Sequence, residues 1–507
     1  MPPTDVFPTL HCCAKLAKNQ CLHDVKFYPY ATTDNDQIFA VVGGRDVFVC
    51  RPTLSGDQPY ELLRWFKDED VDSSVNSVVW TKDSITHKPL LCIAGEKPKQ
   101  IRILDIESGE AVRSIPGHGK GINDLAISPL STDLLASCSE DYTIRLWNLH
   151  PKYQDQPCVA MFCGEGHRQP ILALRLHPNG RWMLSGGLDT AVCLWAVPSL
   201  EELERSNDDS NERKEPKIIY YPHFHSTEVH HNYVDCVQFY GDLIISKASR
   251  VQNDKQSNEI LLWKIDGFDP NEPPPSAPPI PSPDVHTRSS FPHSSRSTGF
   301  QRLLTFSMPH SDRFYFRFGL LHTPAMRPIL CMGNQESKYF FWDLQKLEEG
   351  WDIGEEKPKK RRRKPKSGVS SENLSRLDDL RGGVKVESFA SSDGAGGATR
   401  EWAMSSSIPS AMLMCVSAMP SSTSNSGAPE RKYALSDPFL PLKPHHTITP
   451  KTNLSSRQHF ATSQMAWSPD GTWLVGVGDF GMMCIFHRDA SVVNGVPKAV
   501  ESFALKD

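Results

Sequence analysis

Two stretches of this chain are near copies of each other, and no other feature limits the possible fold as tightly. "GHGKGINDLAISPLSTDLLASCSEDYTIRLWNL" (117–149) and "GHRQPILALRLHPNGRWMLSGGLDTAVCLWAV" (166–197) each open on Gly-His, pass through an alternating apolar segment and a turn, and place Asp six residues before Trp. His118 and His167 are 49 residues apart, and Trp147 and Trp195 are 48 apart. Short β-branched and apolar segments repeating around tight turns at that period predict propeller blades of four antiparallel strands. Weaker copies run through "NYVDCVQFYGDLIISKASR" to Trp263, through "RPILCMGNQESKYFFWDL" to Trp342 and Asp343, and through "SQMAWSPDGTWLVGVGDFGMMCIFHR", where Phe486 stands in place of Trp. Two upstream segments, "HDVKFYPYATTDNDQIFAVVGGRDVFVCR" and "VNSVVWTKDSITHKPLLCIAGEKPKQIRILDI", show the paired strands without the signature letters and bring the blades to seven.

The expectation is an all-β, seven-bladed β-propeller over 22–490, with an N-terminal segment 1–21 and a tail 491–507. A closed ring leaves only short, protected strand edges. The first blade begins near the N-terminus and the last ends near Arg488, so a strand from one end is expected to complete the blade at the other. The repeats resemble the WD-repeat family, which implies a hydrogen-bonded tetrad in each well-kept blade. Here the tetrads fall on His118, Ser137, Asp141 and Trp147, and on His167, Ser185, Asp189 and Trp195. A carboxylate in an apolar blade needs such partners, because an unpaired one would cost several kcal/mol. These histidines therefore read as structural.

Two inserts interrupt the pattern. A Pro/Ser-rich stretch at 267–300, containing "PNEPPPSAPPIPSPD", reads as an exposed excursion that forms no sheet, and a low-complexity stretch at 348–445 separates the last two blades. The second carries "KPKKRRRKPK" (357–366), in which Lys359, Lys360, Arg361, Arg362, Arg363 and Lys364 are candidates for nuclear import or for a weak, sequence-blind contact with nucleic acid. A net charge of -5 argues against coating nucleic acid with the whole surface, and the sequence contains no apolar run of membrane-spanning length. The thirteen cysteines show no CxxC and no zinc-type Cys/His spacing, so they read as reduced thiols in a reducing compartment. No metal, cofactor or catalytic residue is expected. "GVGDFGMM" contains DFG without the other kinase motifs, and phosphate-loop, HExxH and GxSxG patterns are absent.

Longer phrases are more specific than the fold. "HKPLLCIAG", "GHGKGIND", "SEDYTIRLWN", "GEGHRQPIL", "HHNYVDCVQFYGDLIISK" and "MGNQESKYFFWDL" resemble the EED/extra sex combs family of Polycomb proteins, in collinear order over about 22–345 and 458–488. The resemblance implies a noncatalytic nuclear scaffold that grips a SET-domain histone methyltransferase, with trimethyllysine of the histone H3 tail held in an aromatic cage at the channel mouth. Carried over residue by residue, the cage's adjacent aromatic pair falls on Phe314 and Tyr315, followed by Arg317, within "DRFYFRF". Its other two aromatic positions fall on His23 and Asn76. At about 0.5 to 2 kcal/mol per ring, the two replacements predict binding weakened roughly tenfold to several hundredfold. In "SDRFYFRFG", alternation assigns Phe316 and Phe318 to blade core, and putting Phe314 and Tyr315 at the channel requires a bend before Phe316. The competing expectation is a WD-repeat substrate receptor of a ubiquitin ligase, or a generic chromatin scaffold.

Overall fold

The computed structural model describes residues 6–18, 20–30, 37–54, 58–205, 215–249, 259–282, 284–294, 296–324, 326–349, 437–451 and 459–489. The described strands form seven sheets, one per blade, around a central channel. Blade one holds Asp24–Phe27, Phe39–Gly43, Asp46–Pro52 and Tyr60–Lys67, and blade two runs from Ser74–Lys82 to Ala111–Pro116. Blades three to seven have their innermost strands at Ile122–Ser128, Ile171–Leu176, Val234–Tyr240, Gly319–Leu321 and Thr462–Trp467.

Inner strands have neighbours on both faces and read as nearly continuous buried runs, whereas the outer strand "YELLRWFK" is largely exposed. The apolar core is divided into slabs, and each slab joins two adjacent blades. Leu146 and Phe162 of blade three pack with Leu174 and Trp195 of blade four, for example. Phe39 and Phe48 of blade one pack with Val475 and Ile485 of blade seven, so the slabs run around the whole ring.

The ring closes through both chain ends. Thr9–Lys15 pairs antiparallel with Met482–His487 and forms the outer strand of blade seven. A strand from one end was expected to complete the blade at the other, and it comes from within 1–21, so the propeller begins before the expected boundary at 22. Without it the strand Met482–His487 would present an unpaired edge.

Both inserts also contribute strands, which corrects their expected boundaries. Thr287–Ser289, within the stretch expected to form no sheet, pairs with Phe224–Ser226 as a fifth strand of blade four. There the Ser226 and Thr287 hydroxyls bond at 2.7 Å, and the Ser290 N–H donates to the His223 carbonyl at 2.8 Å. Proline cannot donate to a ladder, but this short piece lies beyond the proline cluster and is free to pair. At the second insert, helix Leu344–Glu349 extends past its expected start. Near its expected end, Pro441–Leu442 pairs parallel with Phe300–Ser307. His446–Ile448, just past that end, supplies the outer strand of blade six. The basic run 357–366 lies outside the described residues.

Candidate functional site: the channel and its mouth

The inner strands of five blades carry a register shift at equivalent positions, between Val75 and Ser77, Ile122 and Asp124, Ile171 and Ala173, Val234 and Cys236, and Thr462 and Gln464. A bulge leaves one residue out of the ladder and re-aims its side chain. The residues left out are Asn76, Asn123, Leu172, Asp235 and Ser463. The pairings of Val25 with Val41 and of Gly319 with Cys331 put His23 and Arg317 at the matching level of blades one and six. Seven blades thus contribute one residue each to a single tier, and two of the expected site residues, His23 and Asn76, are neighbours in it.

Arg317 crosses this tier. Its guanidinium donates to Asp124 Oδ1 at 3.1 Å in blade three and to the Leu172 carbonyl at 2.7 Å in blade four, while its backbone N–H donates to the Ser463 carbonyl at 2.9 Å in blade seven. Arg317 and Asp124 are 2% and 1% exposed, so neither is screened by water. Burial would raise the Asp124 carboxyl, but Arg317 and Arg175 outweigh it and hold the group below the usual carboxylate range. Asp124 also accepts the Leu174 N–H of blade four at 3.0 Å, as Asp24 accepts the Val78 N–H of blade two at 3.1 Å. These carboxylates staple one blade to the next.

Tyr315 is fixed above the strut. It adopts a left-handed conformation (φ 70°) inside a turn, so "SDRFYFRFG" is not a continuous strand and the ladder starts only at Gly319. The bend falls at Tyr315 itself, just before Phe316. A tyrosine is disfavoured at positive φ and must be held there by its surroundings. Its N–H donates to the buried Asp235 carboxylate at 3.2 Å, its hydroxyl donates to the Asn123 carbonyl, and the Arg317 guanidinium lies 4.5 Å from its ring centre. Asp235 is itself paired with the fully buried Lys247 at 3.0 Å. Phe316 and Phe318 are buried in the slab between blades five and six.

The rings at the mouth are Phe314, Tyr315, Tyr233 and His23. Phe314 is 47% exposed, with its ring centre 4.9 Å from Tyr315 and 5.6 Å from Tyr233, and His23 lies 6.5 Å from Tyr315. Burial lowers the His23 pKa, so the imidazole is neutral at physiological pH and does not repel a cation. Asn76 brings no ring, and its buried Oδ1 has no hydrogen-bond partner among the described residues. Tyr233 went unnoticed in the sequence, although it precedes the bulged Asp235 in the phrase "NYVDCV". Lys247, a lysine within the otherwise buried strand "LIISKA", was an equally available sign of a buried charge pair.

The tetrad residues come together as two hydrogen-bonded chains. His118 Nδ1 lies 2.9 Å from Asp141 and its Nε2 2.8 Å from Ser137 Oγ, which accepts the Trp147 indole N–H at 2.7 Å. The second chain has His167 to Asp189 at 3.1 Å, His167 to Ser185 at 2.7 Å and Trp195 to Ser185 at 2.9 Å. Indole can only donate, so at His118, whose pKa burial lowers, the Ser137 hydroxyl hydrogen turns to Nε2 and leaves Nδ1–H for the carboxylate. Gly precedes each histidine because a Cβ there would come within 2.6 Å of Trp147 at Gly117 and 2.3 Å of Trp195 at Gly166. A third chain, His230–Ser246–Trp263, with distances of 2.7 and 2.8 Å, was missed because no Gly-His announces it.

Known proteins match this chain in both sequence and fold. The WD domain, G-beta repeat family matches residues 109–148 and 156–196. Polycomb protein EED of Chaetomium thermophilum is 40% identical over 338 residues, 64% of this chain, and the match spans 57% of that protein's length. Polycomb protein esc of Drosophila melanogaster is 31% identical over 63% of this chain and 69% of its own. Among solved structures, a chain of a humanized Chaetomium thermophilum Polycomb Repressive Complex 2 bound to the inhibitor GSK126 superposes with a TM-score of 0.71 at 31% identity, covering 95% of this chain and 98% of that one. The chain belongs to the EED/esc family of Polycomb WD-repeat proteins.

Proposed function

We propose that this protein is the noncatalytic WD-repeat scaffold of a Polycomb repressive complex 2 type histone methyltransferase. In this reading it works in the nucleus, binds the SET-domain subunit and supports repression. The observation that carries the reading is the superposition on a chain of the Chaetomium complex over nearly the full length of both chains. Three of the phrases that give the sequence its likeness, "GHGKGIND", "GEGHRQPIL" and "HHNYVDCVQFYGDLIISK", contain the tier residues Asn123, Leu172 and Asp235, and a ubiquitin-ligase receptor would have no need of them. Affinity purification of the tagged full-length chain tests it. A SET-domain methyltransferase is expected among the recovered proteins, and its absence alongside cullin-adaptor peptides would favour the ligase reading.

The channel mouth supports a second role, weak binding of a methylated lysine of the histone H3 tail. Another matching structure is ctPRC2 in complex with a trimethylated lysine form of histone H3. Phe314 is half-exposed beside the fixed ring of Tyr315, and a quaternary ammonium is attracted to such ring faces without needing a hydrogen bond. Two aromatic positions of the cage are His23 and Asn76, so the affinity is expected roughly tenfold to several hundredfold below that of a four-ring cage. Titration with methylated and unmethylated H3 peptides, repeated with Phe314→Ala, is the check. Equal affinity for both peptides would remove the reader role and leave the scaffold role standing.

A further inference from the structure

The ladder between Thr9–Lys15 and Met482–His487 is the only one in the ring formed by strands from opposite ends of the chain among the described residues. Within it Cys13 stands directly across from Cys484, and the two sulfurs are 2.9 Å apart. Opposed residues of an antiparallel pair have Cα atoms about 4.5 to 5.5 Å apart, inside the span of about 4.4 to 6.8 Å that a disulfide accepts. Closing the sulfurs to a bond takes about 1 Å of combined movement.

The two thiols are also differently placed. Cys13 is half-buried, whereas Cys484 is fully buried beside the Tyr339 hydroxyl. Burial pushes the Cys484 thiol well above its ordinary pKa, and its contact with Cys484 draws the Cys13 thiol down. Cys13 is thus the more reachable and the more readily ionised of the pair. The adjacent Cys12 faces Ile485 and has its pKa raised by burial to about 11, so it is neither paired nor activated.

We propose that Cys13 and Cys484 form a reversible oxidation site at which a hydroperoxide creates a cross-strand disulfide that ties the propeller's two chain ends together. The Cys13 thiolate attacks a peroxide oxygen, the O–O bond breaks and one water leaves, giving a sulfenic acid. Cys484 then attacks the Cys13 sulfur, the S–O bond breaks and a second water leaves. Two thiols lose two electrons and two protons, and one hydrogen peroxide becomes two waters. In a reducing compartment the resting form is the dithiol, and a thiol reductant restores it.

The test treats the folded full-length chain with hydrogen peroxide and maps its peptides by mass spectrometry without reduction. Cross-linked peptides containing Cys13 and Cys484 are expected, about 2 Da lighter than the two reduced peptides together. The melting temperature should rise by several degrees and return on adding dithiothreitol. Cys12→Ser should behave as the native chain, while Cys484→Ser should show neither the cross-link nor the rise. Sulfinic acid at Cys13 without a cross-link, or a cross-link between other cysteines, would overturn the proposal. Should Cys484→Ser fail to fold, the native chain's peptide map decides the matter by itself.

Discussion

Arg317 is a single side chain on which several elements depend. It binds Asp124 and the Leu172 carbonyl, covers one face of Tyr315 and anchors to blade seven through its backbone. Replacing it leaves the buried Asp124 carboxylate with Arg175 as its nearest remaining guanidinium, at 3.3 Å. Removing one partner of a buried pair costs about 3 to 5 kcal/mol. Arg317→Ala is therefore expected to lower unfolding stability by about that amount in a urea titration. Arg317→Lys should recover part of the loss, because an ammonium keeps the charge but cannot span both acceptors.

Buried histidines whose pKa burial lowers make the fold acid-sensitive, and His167, raised to about 10 by Cys193 and Asp189 against its burial, opposes them only in part. His230 sits in the His230–Ser246–Trp263 chain with its pKa pushed by burial down to about 3, and burial likewise takes His225 to about 4. Below the unfolded value of about 6.5 the unfolded chain takes up these protons and the folded chain does not. Their stabilising effect is complete above that pH and is lost progressively as pH falls toward the folded values. The midpoint urea concentration is expected to drop between pH 7 and pH 5, before most carboxylates titrate. His230→Gln should be less stable at pH 7 yet show a shallower drop across that interval.

Among the secondary-structure elements, the ring-closing strand is the most exposed to test. Deleting residues 1–15 removes the partner of Met482–His487 and opens an edge with a row of unpaired backbone groups. The truncated chain is expected to melt several degrees lower and to self-associate on size-exclusion chromatography. A monomeric truncation with an unchanged melting temperature would show that closure does not depend on this strand.

The closing strand also shows where sequence reading reaches and where it stops. Gly-His, Asp and Trp marked blades three and four because packing leaves those positions little choice: a Cβ before either histidine would strike a tryptophan ring, and a chain of donors and acceptors satisfies the partly buried carboxylate. "TLHCCAK" carries no such letters, because an outer strand meets only one neighbour and its side chains are partly solvated. Thr287–Ser289 and Pro441–Leu442 are too short for any periodicity, and long-range pairing alone makes them strands. At the mouth, the motif frame gave Phe314, Tyr315 and Arg317 as candidates and His23 and Asn76 as the altered positions, and the fold brings the rings of Phe314, Tyr315 and His23 close together. Tyr233, Asn123, Asp124 and Asp235 escaped because their roles depend on bulges that bring separate blades to one tier, and a register shift leaves no mark in a single strand's pattern.

At the scale of the whole molecule, stability resides in slabs shared between neighbouring blades, so the length of a connection that leaves the rim has little leverage on the ring. The long insert is the extreme case. Residues 350–436 lie outside the described structure, and strands of blades five and six resume at Pro441–Leu442 and His446–Ile448. Loop-closure entropy changes only by about 0.6 kcal/mol per doubling of length. Replacing 350–436 with about ten Gly/Ser residues shortens the loop by about three doublings and should stabilise the propeller by roughly 2 kcal/mol, provided the short linker spans the gap without strain. The expected result is an unchanged β signature by circular dichroism with a melting temperature equal to or slightly above that of the full chain. The same deletion removes the basic run 357–366. A fluorescent fusion of the deleted chain is expected to lose nuclear accumulation while still recovering the methyltransferase from lysate. Alanine replacement of Lys359, Lys360, Arg361, Arg362, Arg363 and Lys364 in the full chain should reproduce the localisation change alone. Nuclear accumulation that survives both changes would assign import to another segment or to a bound partner.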